Sequence, residues 1–161
     1  MNTSPAGLNL IKQSEGLRLV PYNDAVGNAT VGYGHLLHRG PLNGTEQPIT
    51  ELEADTNLTQ DVFDKAEVFV NKITCPLNQN QYDALVDFCF NVGPGNLDTV
   101  AKETGLYTDS PRYAEVGPKI LLYNKARNQS GVLVPLPGLT FRREKESEVF
   151  NAPVPTSPAA S

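Results

Sequence analysis

The chain has 161 residues, 39 % hydrophobic and 19 % charged, an ordinary composition for a globular domain long enough to bury a core. Its formal net charge of −5 is built from mixed rather than blocked charges and argues against nucleic-acid binding, which calls for a basic face. No apolar run approaches a membrane span, the N-terminal MNTSPAGLNLIKQSEG lacks the basic start and apolar stretch of a secretory signal, and Cys75 and Cys89 stand at no zinc-ligand spacing, so no metal is expected.

Ser4-Pro5 reads as a helix start, a capping hydroxyl followed by proline at the first helical position. Leu8, Ile11 and Glu15 follow at spacings that put them on one face, and Gly16 is the expected C-terminal cap. Leu17 to Pro21 and Ala29 to His35 read as strands, with a turn over Asn23 to Asn28. On the second strand Thr30, Gly32 and Gly34 share one face and Val31, Tyr33 and His35 the other. The glycines leave the face beside Thr30 bare, as suits close approach of a ligand. Residues 38–48 form a loop rich in Gly, Pro and Asn. Thr50 and Glu53 make a capping box for an amphipathic helix carrying Leu52, Leu58, Val62, Phe69 and Ile73, with a break expected near Asn57 to Gln60.

After Pro76, LNQNQYDALVDFCFNVG reads as a strongly apolar core helix ended by Gly93-Pro94-Gly95. Shorter helices are expected over Leu97 to Glu103 and Arg112 to Lys125, then a loop, SGVLVPLPG, and a last helix from about Leu139 to Phe150. The final NAPVPTSPAAS has nothing to bury and is expected to be disordered. Both cysteines read as free, partly buried thiols. Asn-x-Ser/Thr sequons at Asn2, Asn28, Asn43, Asn57 and Asn128 read as chance; a glycan on Asn28 would crowd Asp24 and Thr30.

The stretch SEGLRLVPYNDAVGNATVGYGH carries the candidate chemistry. Breaking a glycosidic bond needs one group to protonate the leaving oxygen and another to activate water or stabilise the cationic anomeric carbon. Partial burial and the negative end of a helix both disfavour a carboxylate, which suits Glu15 to the first task. Asp24, on a polar turn beside Asn23, is expected to stay ionised, and carboxylates in unlike environments make an acid–base pair. Thr30 offers a hydroxyl to hold a water near Asp24.

Glu15, eight residues, Asp24, five residues, Thr30, then VGYGHLL resembles the catalytic signature of the phage-type lysozymes, glycoside hydrolase family 24. PLNQNQYDALVDFCFNVGPGNL resembles that family's core helix and following turn, and PGLTFRREKESEVF its closing Gly-Leu-x-x-Arg-Arg-x-x-Glu helix. RYAEVGPKILLYNKA resembles the segment that usually carries a tryptophan, with Tyr123 in its place. The likeness covers about residues 7 to 150. It implies an α+β, lysozyme-like fold: a small lobe with a short antiparallel sheet beside a larger helical lobe, one catalytic domain over 1–150 and a tail over 151–161. It implies hydrolysis of the β-1,4 bond between N-acetylmuramic acid and N-acetylglucosamine in peptidoglycan, without metal or cofactor. Glu15 is then the general acid, and Asp24 with Thr30 positions water or stabilises the oxocarbenium-like state. Asn91 and Gly32 would face the sugar. Arg142 would reach back to Glu15 and favour its ionised form, opposing burial, with the net sign left open. Thr30 beside Asp24 leans toward an inverting route, although the carboxylate separation that decides it is not fixed by sequence. His35 is expected to pair with a helix carboxylate, Asp61, and Tyr33 and Leu36 to pack in the core.

A lytic transglycosylase using Glu15 alone and a non-catalytic peptidoglycan-binding module are the alternatives, and the intact Asp24 and Thr30 argue against both. The expected partner is peptidoglycan, with no nucleic acid and no stable membrane association, and the expected state is a monomer. A phage enzyme would wait in the host cytoplasm for holin-dependent release to the wall; a bacterial homologue, a prophage remnant or a secreted protein with its signal trimmed are the other settings. The net charge departs from the basic character common among enzymes that attack anionic envelopes, and the absence of tryptophan removes an aromatic often used to pack the larger lobe.

Overall fold

In the computed structural model, helix α1 (Pro5–Glu15) begins where the Ser4 hydroxyl accepts the Gly7 amide at 3.1 Å and ends at Gly16, whose φ of 72° disfavours any side chain. The structure describes residues 1–154; the expected disorder of the tail falls mostly on 155–161, which lie outside the described residues.

Strands β1 (Arg18–Asn23), β2 (Ala29–Gly32) and β3 (His35–His38) form an antiparallel sheet in that order. The expected single strand over Ala29 to His35 is therefore a hairpin. Gly32 and Gly34, with φ of 68° and 85°, let the chain reverse at Tyr33 and Gly34, and the period-two face pattern stops there. Tyr33 is buried as expected, but Leu36, now on the outer strand, is 42 % exposed rather than in the core.

Helix α2 (Glu51–Val62) starts on the expected Thr50–Glu53 capping box and passes through Asn57 to Gln60 unbroken. The irregularity lies further on, in a π-helical turn over Phe63–Glu67 that leads into the short α3 (Val68–Val70). Tertiary contacts hold it there. The Cys89 thiol donates to the Lys65 carbonyl at 3.6 Å, and the Glu67 carboxylate accepts the Thr3 amide at 2.6 Å.

The core is organised by α4 (Gln79–Val92), whose Tyr82, Leu85, Val86, Phe88 and Cys89 are buried. Gly93 ends α4 and begins α5 (Pro94–Thr104), earlier than expected because Pro94 already occupies the first helical position. Helix α6 (Tyr113–Leu121) stops short of Lys125, which pairs with Pro135 in a hairpin of β4 (Lys125–Arg127) and β5 (Leu133–Pro135) where a loop was expected. Helix α7 (Pro137–Asn151) returns along α4 and α6. Tyr123, at the position where tryptophan is usual, meets Phe88 edge-on at 5.2 Å. Cys75 and Cys89 are free and buried, and burial pushes the Cys89 thiol up to about 12.

Helix α1, which delivers Glu15, is pinned to α4 through Asp83. That buried carboxylate accepts the Ser4 amide at 3.0 Å, the Ser4 hydroxyl, and the Gln79 side-chain amide at 2.8 Å. A Cβ on Gly7 would lie 2.6 Å from the Asp83 carboxyl carbon, so glycine is what permits this approach. Gly7→Ala is expected to lower stability by about 2 kcal/mol, seen as a lower urea midpoint. Gly95→Ala, where a Cβ meets nothing within 4 Å, serves as the unaffected control.

Candidate active site

Glu15 is the last residue of α1, and its side chain is 25 % exposed. Its Oε1 accepts a hydrogen bond from Arg142 Nη1 at 2.7 Å. Arg142 reaches it from α7 across α4 and is itself nearly buried. The remaining edge of the guanidinium is taken by Asp87 on α4, with Nη2 to Oδ1 at 2.6 Å and Nε to Oδ2 at 3.4 Å. Burial alone would weaken the Arg142 charge, but Asp87 and Glu15 outweigh it and hold the group above its ordinary value.

A second layer backs this pair. Arg143 donates to Glu146 at 2.6 Å and to Asn91 Oδ1 at 2.9 Å, and it lies over the Phe88 ring at 5.1 Å. Burial, with the nearby Asp87 charge, raises the proton affinity of Glu146 well above the ordinary carboxylate range. Asp87, Arg143 and Glu146 were not singled out from sequence as site residues. The readable signal was Asp87 within an otherwise apolar helix, four residues from Asp83 and so on the same face.

The ribbon supplies the other candidates. Asp24 Oδ1 accepts the amides of Val26 at 3.0 Å and Asn28 at 2.8 Å, closing the β1–β2 turn; among the described residues its Oδ2 has no protein partner. The Thr30 hydroxyl donates to the Asn28 carbonyl at 3.0 Å, and the residue is only 2 % exposed. The turn is braced by the loop after β3: Asn28 Oδ1 accepts the Gly40 amide at 3.0 Å and Asn23 Oδ1 the Leu42 amide at 2.8 Å. His35 pairs with Asp61 at 2.9 Å, as expected, away from these groups.

Gly32 departs from its expected place. A Cβ there would touch Ala54 and Ile49 at 3.4 Å, so its open side is filled by packing against α2 and not by a ligand. Gly34 is the glycine beside the acid: a Cβ on it would lie 3.8 Å from Glu15 Oε2.

Glu15, Asn91 and Arg142 line one hollow of about 510 Å³, together with Leu136, Phe141 and Lys145. Asn91 and Leu139 continue into an adjoining hollow of about 310 Å³ that reaches Tyr123 and Lys125. Asp24, Thr30 and Gly32 do not line the first hollow; they belong to the β1–β2 ribbon, which starts three residues after Glu15. A larger hollow of about 600 Å³ between Thr3 and Phe63 contains none of the candidates, and its one carboxylate, Glu67, is occupied by Thr3.

Comparison with known proteins follows the same outline. The family model described as phage lysozyme matches residues 12–146. The endolysin of Acyrthosiphon pisum secondary endosymbiont phage 1 is 34 % identical, over 94 % of this chain and 99 % of that protein. The endolysin of Salmonella phage P22 is 31 % identical, over 93 % and 98 %. The muramidase domain of SpmX from Asticaccaulis excentricus superposes with a TM-score of 0.79 at 31 % identity, covering 94 % of this chain and 99 % of that one.

Proposed function

The chain belongs to the phage lysozyme family and hydrolyses peptidoglycan, and we propose that it cuts the β-1,4 bond after N-acetylmuramic acid with Glu15 as general acid and Asp24 with Thr30 handling the water. The observation that carries this assignment is a carboxyl on the wall of a hollow between α1, α4 and α7, held on one oxygen by Arg142 and faced on the other by the bare Gly34. Protonated, Glu15 delivers its proton to the leaving glycosidic oxygen. Arg142 then meets the carboxylate that this step creates.

Thr30 has a directional part in the reading. Its own proton is committed to the Asn28 carbonyl, so its oxygen is left to accept. A water that gives one proton to Thr30 Oγ1 and the other to the unpartnered Asp24 Oδ2 presents its lone pair to the anomeric carbon. That arrangement favours direct displacement and inversion. Asn91, whose Oδ1 is occupied by Arg143, has its amide NH₂ left to donate to the sugar. Residues 1–150 are read as one catalytic domain acting as a monomer. Synthesis in a host cytoplasm before release to the wall is in line with the phage endolysin relatives, and a holin is the partner proposed for that release. Among the described residues no helix is long and apolar enough to cross a membrane.

Proton NMR of the first product from soluble glycan strands tests the reading. The expected product is a reducing muramic acid end with inverted configuration. A retained anomer would replace the water-handling role of Asp24 and Thr30 with a covalent one. An anhydro end, lighter by one water in the mass spectrum, would mean a lytic transglycosylase instead.

A further inference from the structure

The cleft walls explain where Glu15 is, but not what keeps Arg142 from locking it permanently as a carboxylate. A buried arginine 2.7 Å away favours the ionised form, which cannot serve as a general acid. Asp87 answers this. It is fully buried on α4, touches no part of the open cleft, and engages two donors of the same guanidinium.

Resting on the assignment of Glu15 as the acid, we propose that Asp87 is a positioning residue that acts through Arg142: it fixes where the guanidinium points and divides its charge with Glu15. The geometric half follows from the planarity of the group. With Nε and Nη2 seated on the two oxygens of Asp87, the remaining Nη1 has one direction left, and Glu15 lies along it. The electrostatic half follows from counting charges. Asp87 meets Arg142 at 2.6 Å, whereas Glu146 stands 3.5 Å from Nε and is engaged by Arg143 at 2.6 Å, so Asp87 is the principal buried carboxylate on this arginine besides Glu15. Remove that charge and the whole cation acts on Glu15.

The other charged groups on the packed elements are already engaged. Arg143 of α7 is held by hydrogen bonds to Glu146 and Asn91 and lies over the Phe88 ring; Lys12 of α1 pairs with Asp55 at 2.7 Å; Lys119 of α6 pairs with Glu103 at 2.8 Å; Lys145 of α7 pairs with Glu148 at 2.7 Å. One complication is built in. Without Asp87 the neighbouring Glu146 loses a cause of its raised proton affinity and can ionise in its place. The informative variant is therefore Asp87→Asn combined with Glu146→Gln.

Against Glu146→Gln alone, the double variant is expected to shift the alkaline limb of the kcat/KM profile down by about one pH unit, with KM on glycan strands changed little. Carboxyl ¹³C NMR gives the same answer without turnover: the Glu15 signal, identified by its absence in Glu15→Gln, should titrate at lower pH by the same interval. In an Arg142→Gln background, adding Asp87→Asn should move neither the limb nor the signal, because the link is gone. A limb and a signal that stay put in the folded double variant overturn the proposal, as does an equal shift with and without Arg142. If the double variant fails to fold, Asp87→Ser in the Glu146→Gln background takes its place, and an unmoved Glu15 signal there also overturns the proposal. An active Glu15→Gln would instead bring down the acid assignment on which this rests.

Discussion

Glu15→Gln is expected to lower kcat on purified peptidoglycan by about 10³-fold while leaving binding and folding near wild type. The amide is close in shape to the carboxyl group, and its oxygen still accepts Arg142 Nη1, so the contact at 2.7 Å has a ready replacement. The guanidinium itself does not depend on Glu15 for its place, because Asp87 holds it by two bonds from the buried side. What the variant lacks is a proton that can leave. The loss should therefore fall on kcat and not on KM, which is how a group that acts in the transition state differs from one that grips the ground state. Released reducing ends and a bound-fraction assay on insoluble sacculi separate the two. A variant within tenfold of wild-type kcat would show that the acid is another group, and the cleft residues would need reassignment.

Local signals in the chain were legible wherever a side chain acts on its own neighbourhood. Ser4-Pro5 starts α1, Thr50 and Glu53 start α2, and Gly16 and Gly93 stop their helices, all through bonds that close within a few residues. The His35–Asp61 pair was anticipated, but the alternation that suggested it ends at Gly32, and it is the β2–β3 reversal that sets His35 opposite Val31. Features set by distant partners were not legible. The π-turn is stabilised by Cys89 and Thr3, from elsewhere in the chain, and nothing within Phe63–Glu67 announces it. The hairpin inside Ala29 to His35 was hidden because two glycines satisfy an alternating pattern and a reversal equally well. Gly32 was misplaced for the same reason: a missing side chain says that something comes close, but not whether it is a sugar or Ala54. The Arg142–Asp87 arrangement joins α7 to α4 across 55 positions and could be seen only once both helices were packed. Glu15 and Arg142 could be anticipated from the resemblance; Glu146 stood in its closing motif and Asp87 as a charge on an apolar helix, but their burial and contacts came only with the packing of α4 on α7.

Glu146→Gln is expected to make the protein more stable at neutral pH, by about 4 kcal/mol at pH 7.5, with the gain vanishing below about pH 4.5. The sign comes from the raised proton affinity of this carboxyl. In the unfolded chain Glu146 releases its proton near 4.5, whereas in the folded protein burial and Asp87 hold the proton up to about 10. Below the first value both states carry it, and the folded state's preference for the proton contributes in full. Between the two values the unfolded chain alone gains by ionising, so stability falls as pH rises, by up to about 1.4 kcal/mol per unit, until the folded state also lets go. Glutamine cannot ionise in either state and so removes that decline. Its side chain is close in shape to the protonated acid, and its oxygen can still accept Arg143 at the 2.6 Å contact. Urea midpoints of both proteins from pH 4 to 9 should therefore coincide at the acid end and separate steadily toward the alkaline end. The opposite result, a variant less stable by a constant margin across that range, would mean that Glu146 is a buried anion paired with Arg143. The distinction reaches the active site. With Glu146 neutral, Arg142 and Arg143 balance Asp87 and Glu15, and Asp87, 2.6 Å from Arg142, is the partner that this arginine keeps when Glu15 passes its proton to and fro.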